Sequence, residues 1–474
     1  MKRIFLLFTF FLQQCFLMSQ ENNYWNAQYG SNSAMLGGAV VSTYCDNGAM
    51  FYNPATMAFK DSGSISFSAN LYKLERIVAT NALGDGLDLS NFNYAILPQL
   101  VSGNFHINKK IELGLILITR NDVDFAFSQS INNTYRMRPT YSEPDSTRPY
   151  NYIANFEGHS RIYETWGGLS ASYKINDHFS IGLTNFITYR YQKFQRSLNI
   201  TALGLEDTTY SYNAKFQSTQ NVAMYDFNYI LKLGAAYTSK RFDAGVSLTL
   251  PSLTIFGIGR ATTEWYLSNS TPDWDENYLV FDKEIKHPFV YKTPLSVAAG
   301  TCFKFNKTKI FLSGEYFASI QPYEVYAPVN DTSYKSKNII RFTTDTVNGV
   351  IKFANPVFNF AIGLEQKLNA KLKLLMGFNS DFSAVNSDNV VDDYNDISYS
   401  YMNLWHCSAG FKIASKKKII TIGVSTSWGR LDDQTQYANL TAPTDIEESS
   451  MMGYVNETST YRYKGIALIF GINF

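Results

Sequence analysis

Residues 465–474 read Gly-Ile-Ala-Leu-Ile-Phe-Gly-Ile-Asn-Phe and end the chain. Counting back from the last residue, Phe474, Ile472, Phe470, Leu468 and Ile466 are large and apolar, whereas the interleaved Asn473, Gly471, Ile469, Ala467 and Gly465 are mostly small or polar. Successive side chains of a β-strand point to opposite faces, so this segment is a strand with one greasy face and one that is not. The same period of two recurs upstream. Phe242, Ala244, Val246, Leu248 and Leu250 alternate with Asp243, Gly245, Ser247 and Thr249. Phe358, Phe360, Ile362 and Leu364 alternate with Asn359, Ala361, Gly363 and Glu365, and Leu372, Leu374, Met376 and Phe378 with Lys373, Leu375, Gly377 and Asn379. Ile420, Ile422, Val424 and Trp428 alternate with Thr421, Gly423, Ser425 and Ser427. Helical periodicity is scarce by comparison.

Very short, mostly charged connections at 108–110, 176–178, 239–241, 306–308, 369–371 and 415–418 join these strands in pairs, and long polar stretches such as 120–160, 192–221, 251–290 and 430–461 separate the pairs. The pattern predicts fourteen strands, at 64–73, 98–107, 111–119, 161–174, 178–191, 223–238, 241–250, 291–305, 309–319, 356–368, 371–380, 401–414, 418–429 and 462–474. Six short turns and seven long loops join them, which puts both ends of the sheet on the short-turn side.

Of the 474 residues, 17% are charged and 16% aromatic, with 35 Phe and 33 Tyr. Soluble domains usually carry about 25% charged residues. A formal net charge of +1 argues against a nucleic-acid partner, which calls for a basic surface. The apolar fraction of 45% argues against disorder. Only the N-terminus holds a long apolar run, so membrane-spanning helices are not expected. A soluble sandwich would bury apolar faces between sheets and has no need of long loops on one side only. A propeller would show a blade repeat of about 40–50 residues. The reading that accounts for all these features is all-β: a transmembrane antiparallel β-barrel of about fourteen strands. Its apolar residues face lipid, its small and polar residues face a lumen, and its short turns are periplasmic. Backbone groups cannot stay unpaired in hydrocarbon, so the sheet has to close.

The chain opens with Met1, Lys2 and Arg3, followed by the apolar run 4–12 and a small residue at Ser19. This is the layout of a signal peptide cut after Ser19. A lipoprotein signal at Cys15 fits less well, because Leu12, Gln13 and Gln14 before it lack small side chains. The expected division is 1–19 signal peptide, 20–63 N-terminal plug, or hatch, and 64–474 barrel. The exported chain keeps Cys45, Cys302 and Cys407, an odd number with no C-x-x-C pair. No disulfide framework is indicated, and each is expected to pack as a small apolar residue.

Catalytic motifs are absent: there is no H-E-x-x-H, G-x-S-x-G or P-loop pattern. His178 falls in a short turn, His159 and His287 at loop ends, and His106 and His406 in strands with no neighbouring Ser, Asp or Glu to suggest a triad. The acidic run 388–396 lacks the ligand spacing of a Ca²⁺ loop. Lys416, Lys417 and Lys418 keep a hairpin end in water. The protein is therefore not expected to be an enzyme, and neither cofactor nor metal is expected.

Two local features carry more. Phe470, Ile472 and Phe474, on a final strand with a terminal aromatic, look like the signal read by the outer-membrane assembly machinery. Residues 34–59 read AMLGGAVVSTYCDNGAMFYNPATMAF. Gly37 and Gly38 there permit positive φ or close backbone approach, Asp46-Asn47-Gly48 is turn chemistry, and Asn53-Pro54 marks a second break.

The run Gly37-Gly38-Ala39, then Asp46 and Ala49, then Phe51-Tyr52-Asn53-Pro54-Ala55 and Met57 resembles the N-terminal hatch of the FadL/TodX (OmpP1) outer-membrane transporters. Thr56 stands where that family usually has Gly. The resemblance implies a fourteen-stranded barrel in the outer membrane, plugged by the hatch. It implies passive uptake of hydrophobic small molecules such as long-chain fatty acids, with exit into the bilayer through a wall opening made by a kinked strand. Gly37, Gly38, Asn53, Pro54 and Ala55 are then hatch elements along the ligand path, or purely structural plugging. Outer-membrane lipids, a hydrophobic ligand and the assembly machinery are the implied partners. The same fold serves PorV-like accessory barrels of larger secretion or assembly complexes, so other complex subunits are the alternative partners. A general polar porin ranks third, because the lumen-facing positions lack charged rings.

Overall fold

The structure is a computed structural model. It describes the chain from Asn22 to Phe474 apart from residues 61–62, 140–146, 206–212, 271–276, 327–332, 336–349, 386–400, 416–417, 447, 454 and 456–457. The expected signal peptide and the acidic run 388–396 lie outside the described residues.

Fourteen strands form the wall: β1 (Ser64–Thr80), β2 (Leu89–His106), β3 (Ile111–Met137), β4 (Arg148–Lys174), β5 (Phe179–Gly204), β6 (Asn213–Thr238), β7 (Phe242–Thr249), β8 (Ser296–Lys304), β9 (Thr308–Phe317), β10 (Val357–Lys367), β11 (Leu372–Asp381), β12 (Leu404–Ala414), β13 (Ile419–Thr435) and β14 (Thr458–Asn473). Each pairs antiparallel with the next. The ring closes where β1 meets β14, from Ser66 opposite Asn473 to Thr80 opposite Thr460. The expected strand count and the short turns at 108–110, 176–178, 239–241, 306–308 and 369–371 are present, and Lys416 and Lys417 of the sixth lie outside the described residues.

The two faces of the wall are inverted relative to a soluble protein. Ser102, Ser170, Ser172, Ser180 and Thr184 point inward and are buried, whereas Leu115, Leu117, Leu169 and Ile181 point outward and are about half exposed. Apolar surface of this extent facing water would be costly at about 25 cal/mol per Å². Facing lipid, it costs nothing. Of the three cysteines, Cys302 is buried, Cys45 half-buried and Cys407 exposed, and none is paired. Cys407 lies on the outer face among lipid-directed residues, so of the three it is the one that serves as a small apolar residue outside the core.

The long polar stretches differ from the expectation of loops. Residues 120–137 and 148–160 are strand, as are 192–204 and 213–221, so that β3 to β6 rise well past the apolar belt. Their polar composition hid the alternation, because above the membrane one face meets water and the other a second core. Strand pairing also changes partner there. β6 pairs with β7 only from Lys232 to Thr238, and higher up with Leu253–Ser270, which forms a hairpin with Asn277–Pro288. Residues 436–453 are not an open loop either. They fold onto the inner face of β3 to β5, where Tyr437, Leu440, Ile446 and Met451 are buried against Phe125, Tyr150, Phe156 and Ile200. Leu440 N–H donates to Leu83 O, Arg138 N–H to Thr444 O and Tyr152 Oη to Met451 O, and Arg138 pairs with Asp445 at 3.3 Å. This cap covers the mouth over β1 to β5.

Charge placed at mid-height on the outer face tests the orientation of the wall. Leu117→Arg is expected to lower the unfolding free energy in lipid vesicles by roughly 2–4 kcal/mol, and Ile107→Arg at the short-turn rim by about 0–1 kcal/mol. Urea titration followed by tryptophan emission reads both.

Candidate functional site

The segment before β1 is enclosed by the ring. Its helical turns at Ser31–Met35 and Ala49–Tyr52 and its 3₁₀ turn at Pro54–Phe59 touch opposite arcs of the wall. Ser180 Oγ donates to Ala55 O and Thr184 Oγ1 to Met50 O on one side, while Ser408 Oγ donates to Met35 O and Thr421 Oγ1 to Asn32 Oδ1 on the other. Glycines notch the wall to admit it. A Cβ on Gly182 would lie 2.7 Å from Ala55 N, and one on Gly377 would lie 2.2 Å from Gly37 N.

Within the segment, the sequence-read residues have structural roles. Gly37 and Gly38 adopt φ of 63° and 75°, left-handed values that favour glycine. Asn53 is buried; its Nδ2 donates to Val41 O at 2.8 Å and Ala235 O at 3.0 Å, and its Oδ1 accepts from Ala55 N. Pro54 opens the 3₁₀ turn, where its missing N–H is not needed. The structure thus brings Asn53, Pro54 and Ala55 together against β5 and β6, and sets Gly37 apart from them against β11, while Gly38 packs on Gln28 and Tyr52 of the segment itself. Phe470 and Ile472 face outward on β14, and the exposed Phe474 ring lies 5.3 Å from Lys418 Nζ.

Sequence reasoning took Asp46 for turn chemistry and missed its reach. Its carboxylate accepts hydrogen bonds from Asn32 N–H, Ser33 N–H, Gly48 N–H and Ser33 Oγ–H, at 2.8 to 3.0 Å. It thereby joins the first half of the segment to the second. Burial pushes this carboxyl above the usual carboxylate range, and the hydrogen bonds pull it back only in part. Gly30, at φ +85°, has to be glycine, because a Cβ there would sit 2.2 Å from Asp46 Oδ1.

Beside the segment the wall has a seam. β2 and β3 pair only from Leu100 to His106 and from Glu112 to Ile118, although both strands continue upward. Pairing stops at two irregularities. Pro98, which has no N–H to give, shifts the β1–β2 register, and a bulge at Arg120 shifts β3 against β4. Above the break, side chains replace the ladder: Asn91 Nδ2 donates to Ala126 O at 2.8 Å, and Gln129 Nε2 to Asp88 O at 3.1 Å.

A cavity opens at this seam. Leu97 and Gln99 form one lip, Thr119 to Val123 the other, and Asn26, Ala27 and Gln28 of the enclosed segment form its floor. It holds about 80 Å³, less than the roughly 150 Å³ apolar cavity that takes up benzene. Passage of even a small aromatic therefore requires the seam or the segment to move. Gly37, Gly38, Asn53, Pro54 and Ala55 do not line it. Next to it, Phe51 stacks edge-on to Tyr29 at 4.6 Å and lies 4.7 Å from Lys232 Nζ. Arg120 bridges Phe51 and Trp166. Glu164 joins this group to β5 through Arg190 at 2.6 Å and accepts from Trp166 Nε1 at 2.6 Å and Asn121 Nδ2 at 3.0 Å.

On the far wall of the cavity stand Ser427 and His406, the latter next to Asp381, a trio that no local motif announces. His406 Nδ1 is 2.7 Å from Ser427 Oγ, and its Nε2 is 3.8 Å from Asp381 Oδ2. The residue types are those of a nucleophile triad. Asp381 Oδ1 accepts a hydrogen bond from Trp25 N–H at 2.8 Å, which ties the carboxylate to the enclosed segment.

Comparison with known proteins agrees with this architecture. The family described as outer membrane protein transport protein (OMPP1/FadL/TodX) matches residues 25–258. No functionally curated sequence matches. Among solved structures, a FadL homologue of Pseudomonas aeruginosa aligns at 13% identity and a TM-score of 0.56, over 95% of this chain and 99% of that one. The toluene transporter TodX of Pseudomonas putida aligns at 14% and 0.54, over 94% and 98%, and the toluene transporter TbuX of Ralstonia pickettii at 12% and 0.52, over 94% and 98%. At such identities these structures establish a shared fold. The resemblance read from residues 34–59 holds, and the chain is an outer-membrane β-barrel of the FadL/TodX type.

Asp46→Ala leaves three buried backbone N–H groups without an acceptor, at about 1–3 kcal/mol each. Limited proteolysis of the folded barrel is expected to cut within residues 30–60 of this variant and of Gly38→Ala, but not of the parent. Both variants should keep the heat-modifiable gel mobility of an intact barrel.

Proposed function

We propose that the protein lets hydrophobic small molecules, long-chain fatty acids or monoaromatic hydrocarbons, diffuse passively across the outer membrane. The observation that carries this reading is the β2–β3 seam, a break in the ladder flanked by cavity-lining side chains from both strands. A ligand that enters the lumen leaves sideways between residues 97–99 and 119–123 into the bilayer, and so avoids the aqueous periplasm. Residues 20–63 act as the hatch below that route, with Gly37, Gly38, Asn53, Pro54 and Ala55 holding its shape. Residues 1–19 are its export signal, and the strand bearing Phe470, Ile472 and Phe474 is read by the assembly machinery. TodX and CymD are monoaromatic hydrocarbon channels, which supports an apolar cargo.

A second reading, an accessory barrel of a larger outer-membrane secretion or assembly complex, draws on two observations. The cap 436–453 covers part of the mouth, and the cavity is small with Asn, Gln and Asp side chains in its rim.

Cross-linking decides between them. In a chain whose three cysteines are replaced by Ser, Leu97→Cys and Val123→Cys bridged by a short bis-maleimide pin the seam. Uptake of labelled oleate and toluene by cells is expected to fall to the level of cells lacking the protein, while the unbridged variant takes up both. Unchanged uptake after bridging sinks the lateral route. Absence of uptake by the parent, together with a stoichiometric outer-membrane partner on purification, sinks the channel reading in favour of the accessory one.

A further inference from the structure

Strand pairing gathers four cations on the outer face of the wall. One row of directly opposed, outward residues runs Trp405, Trp428, Lys464, Arg76, Phe92 across β12, β13, β14, β1 and β2. The row above it contains Arg430 opposite Arg462, which faces Val78. Arg76, Arg430, Arg462 and Lys464 are all exposed. Lys464 faces Arg76 and Arg430 faces Arg462, and like charges directly opposite on neighbouring strands repel. Asp432 offsets part of this charge: it holds Arg430 Nε at 2.8 Å through both oxygens, accepts from Thr460 Oγ1 and also attracts Arg462. Among the described residues, Arg76, Arg462 and Lys464 enter no ion pair.

Height identifies what meets them. Lys464 and Arg462 lie ten and twelve residues above Phe474. At roughly 3.4 Å per residue and a tilt of about 40°, they stand roughly 26 and 31 Å above the short-turn rim, where an apolar band about 25 Å tall has ended. Below them the outer face is Ile466, Leu468 and Leu74, and Trp428 and Phe92 flank them in the position of an interfacial aromatic girdle. Cations at this level face lipid headgroups at the far side from the short turns.

We propose that Arg76, Arg430, Arg462 and Lys464 form a binding site for the phosphate groups of an anionic outer-leaflet glycolipid. Guanidinium forks match phosphate oxygens in pairs, and a phosphate between the two rows relieves both like-charge contacts. The flanking Trp428, Phe92 and Ile466 receive the sugar and the start of the acyl chains. The site does not depend on the cargo of the lumen.

The test uses the full-length barrel in phosphatidylcholine vesicles that contain either bis-phosphorylated lipid A or the same lipid with its phosphates removed. The barrel is then extracted in mild detergent and the lipid it retains is counted by native mass spectrometry. The parent is expected to keep the phosphorylated form over the dephosphorylated one. Arg462→Gln and Lys464→Gln should each cut that retention roughly fivefold, Arg462→Lys should keep most of it, and the fourfold Gln variant should show no preference. Equal retention of both lipids by the parent, or full retention by the single Gln variants, overturns the proposal. So does an acidic protein cross-linked to Arg462 in native membranes in place of lipid. The single variants carry the test if the fourfold variant does not fold, which heat-modifiable mobility reports.

Discussion

Hydrocarbon offers no partner to a peptide N–H or C=O, and each group left unpaired there costs several kcal/mol. The rest of the structure depends on this constraint. It accounts for the closure of β14 onto β1 and for a wall without a free edge. It also gives meaning to a stretch where neighbouring ladders part. Between β2 and β3 the pairing ends at Leu100 and Ile118, and Asn91 and Gln129 take over by reaching across to backbone carbonyls. A seam held by two amide side chains is far weaker than a ladder, and it lies where a cavity reaches the wall.

The second dependence runs inward. A ring of this size encloses a polar lumen, and here residues 22–60 of the chain run inside it. The fit comes from subtraction: wall glycines at 182, 234, 245 and 377 leave hollows into which Ala55, Asn53, Val41 and Gly37 press. Hydroxyls from β5, β12 and β13 then reach the segment's carbonyls and its Asn32 side chain. Energy and shape are thus shared between wall and segment, and each keeps the other's polar groups out of hydrocarbon.

Much of this was legible in the sequence because the signal is periodic or conformational. The alternation in residues 241–250 and 462–474 reports a wall with two solvents, and Gly37-Gly38 reports left-handed backbone that any structure would have to honour. Other features were not legible, for physical reasons. The upper halves of β3 to β6 look like loops because neither face there meets lipid, and their partner, the cap 436–453, is distant in sequence. Neither Pro98 nor Arg120 announces the seam alone, since a break needs both strands to be irregular at one height. Asp46 reads as a turn residue because the donors it serves, Asn32 and Ser33, come from another turn. The trio Ser427, His406 and Asp381 exists only after three strands are laid side by side.

The four donors that converge on Asp46 also set how the enclosed segment can move. Asn32 and Ser33 belong to its first turn and Gly48 precedes its second, so one carboxylate ties together parts of the chain that could otherwise loosen one at a time. Stability within a protein is divided into units that open as wholes. Here the unit is at least the stretch from Asn32 to Gly48, whose two ends cannot part without breaking the same knot. Any passage opened beneath the cavity then comes from a rigid body tilting against its glycine sockets, the motion of a cork and not of a frayed rope.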